Sequence, residues 1–114
     1  MEINGPIKIS VLDREAGGGR ELHFTFTETF QKQDLADQRE SFGLYLQDLH
    51  TGIQRLQEED PNRMGMLIVQ QVCEQMYPYI AEGEMALAET IVVALTPEQT
   101  AATDDFRVID LLKN

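Results

Sequence analysis

One cysteine, no tryptophan and a shortage of basic residues mark this chain of 114 residues. The lone Cys73 excludes an internal disulfide and a multi-cysteine metal site. It sits in an apolar pattern, where a free thiol behaves as a small hydrophobe. No His or Lys lies near it in sequence to lower its pKa, so a buried, inert cysteine is expected. Nine Lys and Arg oppose twenty Asp and Glu, giving a formal net charge of −11. That balance argues against nucleic acid and anionic membranes as partners, because phosphate attraction dominates such affinities. Long apolar runs are also missing. The longest, Ile91 to Leu95, has five residues, whereas a membrane span needs roughly twenty. Met1 to Ser10 shows no basic head followed by an apolar run, so no secretory leader is expected. A reducing cytoplasm suits the free thiol.

What is present suffices for one domain. Apolar residues make up 42% of the chain. A chain of this size buries about 65% of its unfolded surface. The expectation is a single acidic α+β domain over residues 1–114.

Two segments alternate with period 2. Ile7, Ile9 and Val11 alternate with Lys8 and Ser10, and Leu22, Phe24 and Phe26 alternate with His23, Thr25 and Thr27. Each reads as a half-buried strand. Gly17, Gly18 and Gly19 between them permit a reversal, so a β-hairpin is expected. The two apolar sets should share one buried face.

From Leu35 the period changes. Leu35, Phe42, Leu46, Leu49, Ile53 and Leu56 form one helical stripe behind Asp34 as N-cap. The helix should end by Asp60, before Pro61, after about 25 residues or roughly 37 Å. Gly43 and Gly52 inside it mark close packing or a break near Gly52. Asp60-Pro61 then starts a second helix. Its apolar face is read as Met64, Leu67, Ile68, Val72, Met76 and Ile80, with Pro78 kinking or ending it. The β-branched run Thr90 to Val93 favours a strand over Glu89 to Leu95. Its near-continuous apolar character suits a central, well-covered position. Thr96-Pro97-Glu98-Gln99 has capping-box spacing and opens a short helical turn. Asp104 to Asn114 reads as a short amphipathic helix with acids first and Lys113 late. The fold class is therefore α+β. A small antiparallel sheet, the N-terminal hairpin plus one later strand, is covered on one face by two long helices in the order β-β-α-α-β-α.

No chemical motif survives inspection. Asp60, Asn62 and Gly65 match positions 1, 3 and 6 of a calcium loop, but Met64 and Gln71 stand where oxygen ligands belong. His23 and His50 lack metal-ligand spacing. The three glycines precede a strand, which is the wrong context for a phosphate loop. Neither a metal nor a cofactor is expected. Ser41 or Cys73 with a histidine would have to meet through space, and nothing in sequence singles out such a pair.

Three features favour binding over catalysis. Met64 to Phe106 holds seven acids and no Lys or Arg, a field suited to a basic partner or to plain solvation. Met64, Met66, Met76 and Met85 cluster, and methionine adapts to partners as well as filling cores. Phe106, Ile109 and Leu112 recur at three-residue steps behind Asp104 and Asp105, a stripe able to dock in a groove or on its own domain. In size and charge the chain is similar to small acidic α+β bacterial secretion and assembly chaperones. That similarity is one of composition and transfers no residue.

The leading expectation is a non-catalytic protein-binding module, an adaptor or dedicated chaperone. Its partner surface would draw on Asp104, Asp105, Phe106, Ile109, Leu112, Tyr45 and Met66. The partner would be another protein with a basic surface, with no nucleic acid and no membrane. Part of the Leu35–Leu56 stripe, or Leu44 and Tyr45, is expected to meet a second copy in a homodimer. The alternatives are an acidic inhibitor that mimics nucleic acid at a basic site, and a small-molecule enzyme with a site assembled through space.

Overall fold

A computed structural model describes residues 6–13 and 19–102. The elements are β1 (Ile7–Asp13), β2 (Arg20–Phe26), α1 (Glu28–Lys32), α2 (Leu35–Gln54), α3 (Pro61–Ala81), β3 (Ile91–Ala94) and α4 (Pro97–Ala102). The class is α+β, with a three-stranded antiparallel sheet in the order β1-β2-β3 and two long helices.

The hairpin follows its period. Ile7 pairs with Phe26, Ile9 with Phe24 and Val11 with Leu22. All six therefore stand on one face, because partners across a ladder share a face. Ile7, Leu22, Phe24 and Phe26 are buried, and Ile9 and Val11 pack against them half-covered.

The long helices form an antiparallel pair. Arg39 of α2 donates from Nε to the Ala81 carbonyl near the end of α3, at 2.7 Å. Further along, Gln70 Nε2 lies 3.3 Å from His50 Nδ1. Gly43 faces Tyr77, where an added Cβ would lie 3.6 Å from the phenol oxygen. Asp34 caps α2 through the Asp37 amide at 2.8 Å, as its short acceptor side chain allows. The helix stops at Gln54, short of Asp60. The residues from Leu56 onward are needed for the reversal into α3, where the Asp60 amide bonds the Gln57 carbonyl at 3.0 Å.

Asp60 caps α3 through the Asn62 amide at 2.8 Å, with Pro61 following. Pro78 does not end this helix. The Glu82 amide still reaches the Pro78 carbonyl at 3.1 Å, and the chain stays helical to Ala81. The stop comes at Gly83, whose φ of 73° is cheap only for glycine. Its amide bonds Ile80 at 3.0 Å and the Glu84 amide bonds Tyr79 at 2.8 Å, the two bonds of a Schellman motif.

Several expectations need correction. Of the apolar face expected for α3, Ile68, Met76 and Ile80 are buried and Val72 is half-covered, but Met64 and Leu67 are exposed, and Met66, Val69 and Cys73 complete the buried set. Apolar residues occupy more than one side of α3, so spacing alone does not select the face that meets the sheet. Ile68 and Val72 are covered to different degrees on a further side. The short α1 was not expected. Thr27 Oγ1 accepts from the Phe30 amide at 3.3 Å, and Phe30 enters the core. Five residues carry too little period to announce a helix. β3 is shorter than Glu89 to Leu95 and lies at a sheet edge, not at its centre.

Thr96 and Gln99 do form the reciprocal capping box. The Gln99 amide donates to Thr96 Oγ1 at 3.1 Å and the Thr96 amide to Gln99 Oε1 at 2.9 Å. The helix expected over Asp104 to Asn114 and the glycine turn through Gly18 lie outside the described residues.

The core sits between sheet and helices. Phe26 stacks on Phe30 with ring centroids 5.6 Å apart, and Phe42 stacks on Tyr77 at 6.2 Å. Buried Gln38 donates from Nε2 to the Phe30 carbonyl at 3.1 Å, tying α1 to α2 and satisfying its own amide.

Candidate interaction surface

The groups that would carry chemistry stand apart. Cys73 is fully buried, and desolvation, with the neighbouring Glu74 charge second, pushes its thiol up from 9.0 to about 12. At neutral pH it is a protonated thiol and a poor nucleophile. Ser41 donates from Oγ to Gln33 Oε1 at 3.0 Å. His50 faces Gln70, which also approaches Glu74 Oε2 at 3.4 Å. His23 Nε2 lies 3.1 Å from Glu21 Oε1 on the sheet. Among the described residues no hydrogen bond joins Ser41 or Cys73 to a histidine. Among them, too, no group of three His, Cys, Asp or Glu side chains is placed to hold a metal ion.

The partner residues inferred from sequence fall in three places. Met66 is 2% exposed and belongs to the core, so its side chain offers no contact surface in this fold. Tyr45 is half-buried, its ring 5.9 Å from that of Phe42. Asp104, Asp105, Phe106, Ile109 and Leu112 lie outside the described residues. The methionine cluster is split, with Met66 and Met76 buried, Met85 half-buried and Met64 exposed.

The sheet supplies a surface that sequence reasoning missed. Both long helices lie on the side of Phe24, leaving the other side without a described covering element. Register places three rows there. Leu12 stands beside Glu21 and Ala94, Ser10 beside His23 and Val92, and Lys8 beside Thr25. Thr90 completes the last row, its hydroxyl 3.2 Å from that of Thr25. Two apolar side chains stand out in this polar setting, Leu12 at 46% exposure and Val92 at 51%. They flank the His23–Glu21 pair diagonally across the central strand. The one sequence-level sign of Leu12 is that it breaks the alternation set by Ile9 and Val11. Val92 is hidden inside its run of apolar neighbours.

The ladder also fixes which backbone groups are unused. The Thr27 amide bonds the Pro6 carbonyl at 3.1 Å, so alternate pairs from there bond: Lys8 with Thr25, Ser10 with His23, Leu12 with Glu21. On the other side the Leu95 amide bonds the Arg20 carbonyl at 2.9 Å, so Leu22 bonds Val93 and Phe24 bonds Ile91. Val92 and Ala94 therefore direct their N–H and C=O groups away from the sheet.

Exposed acids flank β3 along the chain, and Arg20 of β2 lies beside its C-terminal end, where the Leu95 amide bonds the Arg20 carbonyl. Glu74, Glu82, Glu84, Glu89 and Glu98 are all exposed, and no Lys or Arg occurs between Met64 and Phe106. Among the described residues no helix is long and apolar enough to cross a membrane. Comparisons with models of protein families, with curated proteins and with solved structures find no significant match for the chain.

Proposed function

We propose that the chain is a non-catalytic protein-binding module, an adaptor or dedicated chaperone acting in the cytoplasm on a partner with a basic surface. The observation that carries this reading is the open sheet face, where Leu12 and Val92 are exposed beside polar neighbours. Leu12 and Val92 stand on either side of the His23–Glu21 pair, and each lowers the free energy of association when a partner covers it. The net charge of −11 favours encounter with a base-rich protein over one of its own sign. The C-terminal residues Asp104, Asp105, Phe106, Ile109 and Leu112 are proposed as a second part of the same contact.

Two variants test the reading. Leu12→Ser removes apolar surface without touching the core, so the melting temperature should hold while a protein captured by the wild type is lost. Deleting residues 104–114 separates contact from core. A truncated chain that melts unchanged but loses its captured partner places the contact in that segment. Unfolding or aggregation makes the segment core. Retention of both stability and partner removes it from the proposal. If the wild type captures no protein, the binding function is refuted; if what it captures is indifferent to Leu12 and to the deleted segment, neither belongs to the contact.

A further inference from the structure

The oddest feature of this fold is the position of β3. Ile91-Val92-Val93-Ala94 reads as a strand buried on both faces, because both phases of its alternation are apolar. Such runs normally occupy the middle of a sheet. Here the run forms an edge, and neither face of it is sealed. Ile91 and Val93 are half-buried on the helix side, and Val92 and Ala94 are exposed on the other. Beside them, the outward N–H and C=O groups of Val92 and Ala94 form a short template for another strand. The sequence supplies a central strand, and the described structure supplies it with one neighbour.

The other edge differs. β1 turns the backbone groups of Ile7, Ile9, Val11 and Asp13 outward, a longer template. However, Lys8 stands on its exposed face, and a charge there opposes edge pairing. β3 carries no charge in either phase. Its charges lie at its ends, where Glu89 precedes it by two residues and Glu98 follows it by four. Glu82 and Glu84 lie in the approach from α3, and no base occurs in this part of the chain.

We infer that the outer edge of β3 receives an extended, lysine- or arginine-rich segment of a partner protein as a fourth strand. Main-chain bonds to Val92 and Ala94 supply the pairing, and alternate side chains rest on Val92 or on the half-open side of Ile91 and Val93. The glutamates at the two ends select the sign of the segment. A second copy of this chain carries the same acids to the same place, so like charges oppose that occupant. The inference rests on the protein-binding reading and names where and how the partner is held.

The test uses the full chain labelled with nitrogen-15 and two probes. One is an acetylated, amidated octapeptide of alternating lysine and valine, and the other is its glutamate–valine counterpart. The lysine peptide should shift the amides of Val92 and Ala94 and slow their hydrogen exchange, and the glutamate peptide should do neither. Reversing both flanking acids, E89K with E98K, should weaken the lysine peptide at least about fivefold at low salt while the melting curve holds. Val92→Pro removes an N–H that the β2 ladder does not use, so the sheet should persist and the shifts should vanish. The charge-reversal pair keeps the test decisive if that proline unfolds the chain.

Four results of the peptide experiment overturn the inference. They are no shift at Val92 and Ala94, shifts confined to β1, equal binding of both peptides, and edge amides already protected before peptide is added. A dimer abolished by Val92→Pro also overturns it, by assigning the edge to a second copy. A captured partner lost with Leu12→Ser but unaffected by Val92→Pro and by E89K with E98K would sink the strand addition alone. The protein-binding reading would then stand.

Discussion

Phe24→Ala probes the architecture at its centre. Phe24 lies on the middle strand, opposite Ile9 on β1 and Ile91 on β3, and its exposure is 0%. Its ring has neighbours on three sides: the strands beside it, and the helix layer contributing Phe42, Val69 and Cys73 to the same cluster. Truncation to alanine removes the transfer energy of the ring and leaves a cavity that a sheet centre cannot collapse into. The cost is about 3–5 kcal/mol. Domains are stable by about 5–15 kcal/mol in total, so the variant should still fold, with little margin. In thermal terms that is a fall of about 10–25 °C for a domain of this size. Urea melts followed by far-ultraviolet circular dichroism measure it, since the chain has no tryptophan to report. Met64→Ala is the control. Met64 is exposed on α3, and the change there should stay within about 0.5 kcal/mol. A Phe24→Ala cost below about 1 kcal/mol would mean that the strands or their faces are wrongly assigned, because no buried ring is lost so cheaply.

Gly83→Ala should cost about 1 kcal/mol. The price is backbone strain at φ 73°, since the added methyl would meet Leu35 Cδ2 at an ordinary 3.6 Å; a neutral or stabilising change would dispute the Schellman stop of α3. Cys73 should resist thiol reagents in the native state and react on unfolding. Its folded pKa is raised from 9.0 to about 12, so its contribution is intact below pH 9 and is lost as pH rises toward 12. Wild type should therefore lose melting temperature across that window more steeply than Cys73→Ala, and parallel pH profiles would contradict the burial. Sedimentation equilibrium should show a dimer through Leu44, Tyr45 or the exposed end of the α2 stripe, and a monomer at tens of micromolar would end that idea.

The legible parts of this chain are those whose pattern has one solution. In β1 and β2 a single phase is apolar, so period 2 fixes both the strand and its buried face. Asp34, Asp60 and Thr96 were readable as caps because an acceptor side chain before an apolar-periodic run has few other uses. The α3 face is only partly legible, for the opposite reason. Met64 and Leu67, which are exposed, satisfy helical spacing as well as the buried Met66, Val69 and Cys73 do. The choice between them belongs to the sheet, which is distant in sequence. β3 was recognised as a strand from its β-branched residues. Its place at the edge depends on which strands pair, and composition does not encode that. Leu12 and Val92 were invisible for the same reason, since an exposed apolar residue is recognised only after its neighbours are placed. The candidate surface therefore came from the structure, and only its acidic surroundings came from sequence.

Those surroundings have two effects that ionic strength can separate. An uncharged, β-branched edge such as Ile91 to Ala94 is the kind of segment that pairs with copies of itself. Two features oppose this here. The strand is four residues long, and every copy brings the same surplus of eleven negative charges. Repulsion between copies is long-ranged at low salt and is screened within about 8 Å at physiological salt. Attraction of a basic segment to Glu89 and Glu98 is screened in the same way. The two associations therefore respond to salt with opposite sign. Added salt weakens a basic partner at β3 and strengthens self-association through any surface of this chain. A titration from low to high sodium chloride, read by peptide affinity and by sedimentation on the same sample, should show the two curves crossing. If both associations strengthen with salt, apolar contact alone drives them, and the acids around β3 have no part in choosing the partner.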